Sequence, residues 1–249
     1  MLGAVWSLLN PIVFVAVFSF VVVVLDNNID WYPFLLLSGL LAWNLFSVSL
    51  SSGAQSVIAN ANLVKKVYFP REVLPLSTVG VALFDFFIQS AVFFAFMMAF
   101  RFGFVLANIW LYPIAFIALV LFTTAVCMWV SALNVRYRDV QHLLGLALLV
   151  WFWMTPIVYS AHPVQTKLSE HTVAGVSLWH VFLANPVAWI VFGFQRALYH
   201  APREDEVLAG MSTGQLAAGL GVVIAVSAAL CYLTWRAFFS FSGDFAEEL

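Results

Sequence analysis

An all-α polytopic membrane protein is the fold class this sequence predicts, and three observations carry the prediction. The 249-residue chain is 64% hydrophobic and 9% charged, with a mean hydropathy of +1.00. A soluble domain needs more polar residues than that to cover its surface. Apolar runs such as "VFVAVFSFVVVVL" and "LLGLALLVWFWM" do not alternate with polar positions, which excludes a transmembrane β-barrel. The runs are also long enough, since a hydrocarbon core about 30 Å thick needs about 20 apolar residues as helix.

By that measure six spans are predicted within one transmembrane domain covering residues 1–249. They run over about Ala4–Leu25, Trp31–Ser51, Val73–Phe100, Ile109–Leu133, Val140–Tyr159 and Leu216–Phe239. The first run lacks the positive flank and small-residue cleavage site of a secretory signal, so it counts as a span. A further apolar stretch, 176–200, is interrupted by Asn185-Pro186. Proline removes a backbone donor and restricts the residue before it, so two half-length arms are predicted. Irregular backbone at membrane depth needs cover by protein, and a re-entrant helical hairpin on the outer side meets that need.

Basic residues near span ends set the orientation. Lys65, Lys66, Arg71, Arg136, Arg138 and Arg236 fall on one side, against Arg101, Lys167, Arg196 and Arg203 on the other. Both termini and the 60–72 segment are therefore expected in the cytoplasm.

That segment lies in "NANLVKKVYFPREVLP". Asn60 and Asn62 can cap a helix start, and Val64, Val67 and Tyr68 share one face. Lys65, Lys66 and Phe69 point elsewhere, Pro70 closes the helix, and Arg71 and Glu72 come next. A second turn, "NVRYRDV", holds Arg136, Arg138 and Asp139. Two such turns on one side suggest a docking surface for another protein.

Other chemistry is poorly represented. There is no G-x-x-x-x-G-K-[ST] loop and no H-E-x-x-H pattern, so neither a nucleotide site nor a metal site is expected in this chain. His162, His171, His180 and His200 match no metal spacing, and His142 comes three positions after Asp139 at a helix start. Cys127 and Cys231 lie in apolar runs and read as small core residues. Nucleic acid is excluded as a partner by the lack of a basic stripe. Asp85 is the one carboxylate placed within a span, with Gln89 a turn later on its face. Both are expected to face the bundle interior, with a polar pathway as the sharper alternative.

Several stretches carry a family resemblance: "GAVWSLLNP", "NANLVKKVYFPREVLP", "LNVRYRDV", "MTPIVY", "LANPVAWIVFGFQRAL" and "FSGDFAEEL". In that order, over nearly the whole chain, they resemble the permease subunits of polysaccharide-exporting ABC transporters. That family exports O-antigen, teichoic acid and galactan. The resemblance implies a homodimeric permease of the bacterial inner membrane, working with two copies of a separate ATPase that binds the ATP and Mg. It implies that the 60–72 segment is a coupling helix, with Lys65, Lys66, Phe69, Pro70, Arg71 and Glu72 as contacts, and that the family's re-entrant pair matches the arms around Asn185-Pro186. Members usually carry an amphipathic interface helix ahead of "GAVWSLLNP", for which this sequence has no counterpart.

A glycan presents hydroxyls and apolar C–H faces, which aromatic residues with a polar handle can bind. Trp151, Trp153 and Tyr159 are the candidates for its path, although Trp and Tyr also gather at any membrane interface. Gln195 and Arg196 are read as binding a lipid pyrophosphate or as surface residues, with equal weight. The predicted function is export of a lipid-linked polysaccharide, with galactan as the lean. The alternatives are a drug or small-lipid exporter on the same scaffold, or a membrane enzyme acting on lipid-linked sugars.

Overall fold

The computed structural model describes residues 9, 12–17, 19–20, 29–66, 69–103, 107–137, 139–173, 175–202 and 204–242. Residues 12–17 form α1, and the rest of the expected Ala4–Leu25 span lies largely outside the described residues. Next along the chain are α2 (Tyr32–Ala59), α3 (Ala61–Lys66), α4 (Val73–Ala99), α5 (Leu111–Arg136) and α6 (Val140–Trp153). Beyond them come α7 (Ala161–Glu170), the antiparallel pair β1 (Thr172–Val173) and β2 (Val176–Ser177), α8 (Leu178–Phe182), α9 (Pro186–Leu198), α10 (Glu204–Val207) and α11 (Thr213–Ser242). Among the described residues the architecture is helical, apart from that two-residue ladder.

Among the described residues four helices are long and apolar enough to cross a membrane: Tyr32–Ala59, Val73–Ala99, Leu111–Arg136 and Thr213–Ser240. At 1.5 Å per residue each reaches about 39 Å or more, so their ends project past a core about 30 Å thick. The expected spans 31–51, 109–133 and 216–239 thus extend further than their apolar runs, because α2 continues through "SGAQSVIA" without a breaker.

The expected Val140–Tyr159 span is cut short. α6 stops at Trp153 after 14 residues, about 21 Å of helix, too short to cross unaided. Pro156 has no N–H to continue the ladder, and it biases Thr155 away from helical geometry. Thr155 Oγ1 turns back to donate to the Trp151 carbonyl at 2.8 Å. Residues 154–160 are non-helical yet largely buried, with Thr155 and Ile157 at 0% exposure.

α2 and α9 form the centre. Leu35, Leu36, Leu40 and Leu50 of α2 are fully buried, and α9 is buried along almost its whole length although only 13 residues long. Small residues bring the helices together. A Cβ at Gly53 of α2 would stand 2.2 Å from Cys127 Sγ of α5, and one at Gly193 of α9 would stand 2.8 Å from Ala115 Cβ. Gly219 of α11 lies flat under the Trp189 ring, where a Cβ would come within 2.1 Å. Close approach of this kind lets helices associate by packing where no hydrophobic force separates protein from lipid. α4, α6 and α11 turn apolar residues outward, among them Phe84, Phe87, Leu146, Val150, Val222 and Phe239.

Gly53→Ala should overpack the α2–α5 contact and lower stability by about 1–3 kcal/mol. Adding Cys127→Ala removes the clashing sulfur and leaves Thr78 Oγ1 at 3.2 Å and the residue-127 Cβ at 3.7 Å, so the double variant should recover part of the lost thermal unfolding temperature in detergent.

Candidate functional site

The basic end of the bundle is built on a small second core. Val57 of α2, Val64 of α3, Leu74 of α4, Met128, Ala132 and Val135 of α5 and Phe238 of α11 are buried together. Four long helices therefore meet one short one. α3 is described over Ala61–Lys66; Val67 and Tyr68 lie outside the described residues, and Phe69 and Pro70 are non-helical. Lys65 and Lys66 are exposed, Pro70 is exposed, and Arg71 and Glu72 are half-buried. Phe69 differs from expectation. Its ring packs on the small core rather than standing free, because an aromatic side chain beside Val57 and Leu74 gains by leaving solvent. Asn60 also differs: its amide donates back to the Ser56 carbonyl at 2.8 Å, closing α2, while its own backbone carbonyl receives Leu63 and Val64 N–H.

The second turn is tied to the same end by a residue that sequence reasoning passed over. Asn134 is fully buried; its Nδ2 donates to the Ala54 carbonyl at 2.8 Å, and its Oδ1 accepts the Gln141 N–H at 3.1 Å. One amide thus joins α2, α5 and the start of α6. The available signal was an amide in the last turn of an apolar span, where a polar side chain needs a partner. Ser56 and Ser131 hydroxyls, 3.3 Å apart, add to the seam. Arg136 is exposed and lies over the Tyr137 ring at 5.8 Å. Asp139 is exposed and starts α6 with its backbone carbonyl accepting from His142 and Leu143. Arg138 lies outside the described residues.

At the other end of α6, Asn185 and Pro186 divide α8 from α9. Asn185 Oδ1 caps α9 by accepting the Val187 N–H at 3.0 Å, and it also accepts Trp151 Nε1 at 2.8 Å. Asn185 Nδ2 donates to Thr155 Oγ1 at 3.1 Å. Trp179 of α8 packs on Phe192 of α9, and Trp189 Nε1 donates to the Leu183 carbonyl, so the two arms fold against each other. The interrupted 154–159 segment is held by Tyr32 OH on the Val158 carbonyl and by Gln195 Nε2 on the Pro156 carbonyl. Gln195 is 1% exposed, so it serves this internal carbonyl and not the surface. Arg196 pairs with Asp205 at 3.6 Å.

A cavity of about 610 Å³ opens between α6 and the α8–α9 turn, lined by Leu146, Val150, Trp151, Met154 and Asn185. Trp153 is exposed, and the half-buried Tyr159 donates its hydroxyl to the Trp153 carbonyl at 3.0 Å. Asp85 and Gln89 are half-buried in α4, and Gln89 Oε1 accepts Asn44 Nδ2 from α2 at 3.0 Å. Gln89 also borders an apolar cavity of about 410 Å³ between α1, α2 and α4. The tertiary structure thus gathers Trp151, Asn185 and Gln195 around one break and sets Asp85 and Gln89 apart from them.

Long apolar helices wrapped round an interrupted, side-chain-satisfied layer define a multi-pass membrane protein. The description "ABC-2 type transporter" matches residues 1–199, and the chain belongs to that family. It is similar to the O-antigen export system permease protein RfbA of Myxococcus xanthus, 29% identical over 252 residues that cover 100% of this chain and 88% of that protein. It is also 34% identical over 196 residues to a protein of the same name from Klebsiella pneumoniae, covering 78% of this chain and 72% of the relative. A permease is a transporter component and not an enzyme, and that is the class of this chain.

Replacing Asn185 by Ala strands the Trp151 indole N–H and uncaps α9, and should cost about 1–3 kcal/mol. Thermal unfolding and faster proteolysis within 154–185 in detergent are the measurements that check this.

Proposed function

We propose that this chain is the transmembrane subunit of an exporter that carries a lipid-linked polysaccharide of O-antigen, teichoic-acid or galactan type across the bacterial inner membrane. In this reading the whole of residues 1–249 is one permease domain of six spans, the first in the region of α1 and the fifth comprising α6 with the 154–159 segment. Two copies pair, both termini face the cytoplasm, and two copies of a separate ATPase bind the ATP and Mg.

The observation that carries the reading is the small core at the basic end. A partner pressing on the segment from 60 to 72 meets Val64, Phe69 and Leu74, which share buried contacts with Met128, Val135 and Phe238. A close-packed interior transmits displacement instead of absorbing it, so force applied there moves α4, α5 and α11 together. Lys65, Lys66, Pro70, Arg71 and Glu72, with Arg136, Arg138 and Asp139 on the neighbouring turn, are the contacts for that partner. Asn134, bonded to Ala54 and Gln141, carries the same motion into α6. At its far end α6 presents Trp151 and Trp153, with Tyr159 just beyond. These aromatic faces suit the C–H faces of sugars, beside the turn at Asn185-Pro186. Arg196, paired with Asp205, is the proposed cation for a pyrophosphate; Asp85 and Gln89 remain candidates for a polar stretch of the path. Export of O-antigen by the named relatives supports a glycan over a drug-like cargo.

Lys65→Glu combined with Lys66→Glu should weaken ATPase co-purification about tenfold or more, a change of about 1.4 kcal/mol, and should stop glycan export in cells. The variant should still elute as folded protein in detergent. Intact export with undiminished ATPase capture would sink the coupling assignment.

A further inference from the structure

Two bulky residues with left-handed backbone meet at the end of the bundle opposite the small core. Trp31, the N-cap of α2, has φ 52°, and Arg101, just past α4, has φ 53°; among the described residues no other non-glycine position has a positive φ. Arg101 holds the place that glycine usually takes in a Schellman closure: its N–H donates to the Met98 carbonyl at 3.2 Å, and the Phe102 N–H to the Met97 carbonyl at 2.9 Å. A side chain there is strained, and residues strained in this way cluster at ligand-binding sites. The bed beneath them is firm. Phe102 stacks flat on Phe34 at 4.3 Å, Tyr199 lies against Phe102, and the Tyr199 hydroxyl donates to the Asp30 carbonyl.

This bed presents donors without acceptors. The Trp31 ring meets Phe102 edge-on at 5.6 Å and is 47% exposed, and Arg101, next in the chain to Phe102, is exposed as well. Neither the indole N–H nor the guanidinium has a hydrogen-bond or ion-pair partner among the described residues. Asp30, beside Trp31, is half-buried and does not pair with Arg101. Trp and Arg side chains can only donate. A sugar hydroxyl both donates and accepts, so an acceptor-only phosphate matches the pair better, and a guanidinium binds phosphate strongly. The neighbouring surface is apolar: Met98 and Phe100 are exposed and continue the outward face of α4. A cation and an indole at the rim of such a face stand at headgroup depth.

We propose that Trp31 and Arg101 form a binding site for the phosphate of a membrane phospholipid. The guanidinium and the indole N–H donate to its oxygens, and the acyl chains run along Phe100 and Met98. Bound there, the lipid holds the adjoining ends of α2 and α4 at one depth in the bilayer. The left-handed backbone at Arg101 is the cost of presenting a cation where glycine would fit without strain. The site requires only that the chain spans a membrane, and it stands or falls separately from export or ATPase binding.

The test uses the full-length permease in a nonionic detergent with a small molar excess of phosphatidylglycerol that carries a photoactivatable diazirine at the top of one acyl chain. Adducts are mapped by mass spectrometry. The expected result is labelling within residues 29–34 and 96–103. A diazirine diacylglycerol, with the same chains and no phosphate, should label those stretches about tenfold less, as loss of a charge-assisted contact implies. That comparison is made on the unaltered chain and does not depend on any variant folding. Labelling by the phospholipid should fall about tenfold in Arg101→Gly and about threefold in Trp31→Phe, which keeps a ring and loses the N–H. Glycine suits a φ of 53°, so Arg101→Gly should unfold at no lower temperature than the unaltered chain in detergent without lipid. Equal labelling by the diacylglycerol reduces the pair to ordinary interfacial residues and overturns the proposal. So does labelling that avoids both stretches. Undiminished lipid labelling in Arg101→Gly overturns it as well, and if glycan export is lost in that variant, the pair belongs to the cargo instead.

Discussion

A bilayer core offers no water to a bare carbonyl, and a backbone that leaves the helix there must find its partners inside the protein. That constraint governs how this chain is put together. Pro156 and Pro186 open two gaps in the helical ladder, and a handful of side chains close them. Tyr32 serves the Val158 carbonyl, Gln195 serves Pro156, and Thr155 caps Trp151. Asn185 uses both ends of its amide, accepting from Val187 and Trp151 and donating to Thr155. Because those partners come from α2, α6 and α9, satisfying the gaps also decides which helices lie side by side. The central position of α9, only 13 residues long, is a consequence.

The two ends of the bundle are stabilised differently. At the break, hydrogen bonds hold an irregular backbone. At the basic end a compact apolar cluster holds the helix termini together, and one buried amide, Asn134, registers three of them. α6 runs between these ends and has few buried residues of its own, Leu148 and Phe152 being the main ones. A helix so lightly packed, pinned by polar contacts at both tips, is well suited to shift as a rod.

Much of this was legible in the residues. The helical class came from apolar runs without alternation, and the start of α4 at Val73 from the proline-bounded basic segment before it. The division at Asn185-Pro186 came from proline chemistry. Two features differ for a common reason: the sequence points Phe69 away from the apolar face of its segment and puts Gln195 at the surface or on a ligand, yet each is turned inward by neighbours distant in sequence. Periodicity reports which face a residue occupies on its own helix; it is silent on what stands opposite. The same limit hid Asn134 and Asn44, whose partners lie 80 and 45 residues away.

Composition and local stereochemistry by themselves determined that this chain is an all-helical membrane protein, where its helices break, and that one end carries the larger share of the basic residues. Those properties depend on the solvent each residue tolerates and on what proline forbids, and both are local. Only the tertiary structure decided that α6 is a short rod, that α9 is central, and that the basic turn shares a core with α11. Those outcomes depend on long-range partners for buried carbonyls and on the close approach that Gly53, Gly193 and Gly219 allow, and such contacts exist only once the helices are assembled.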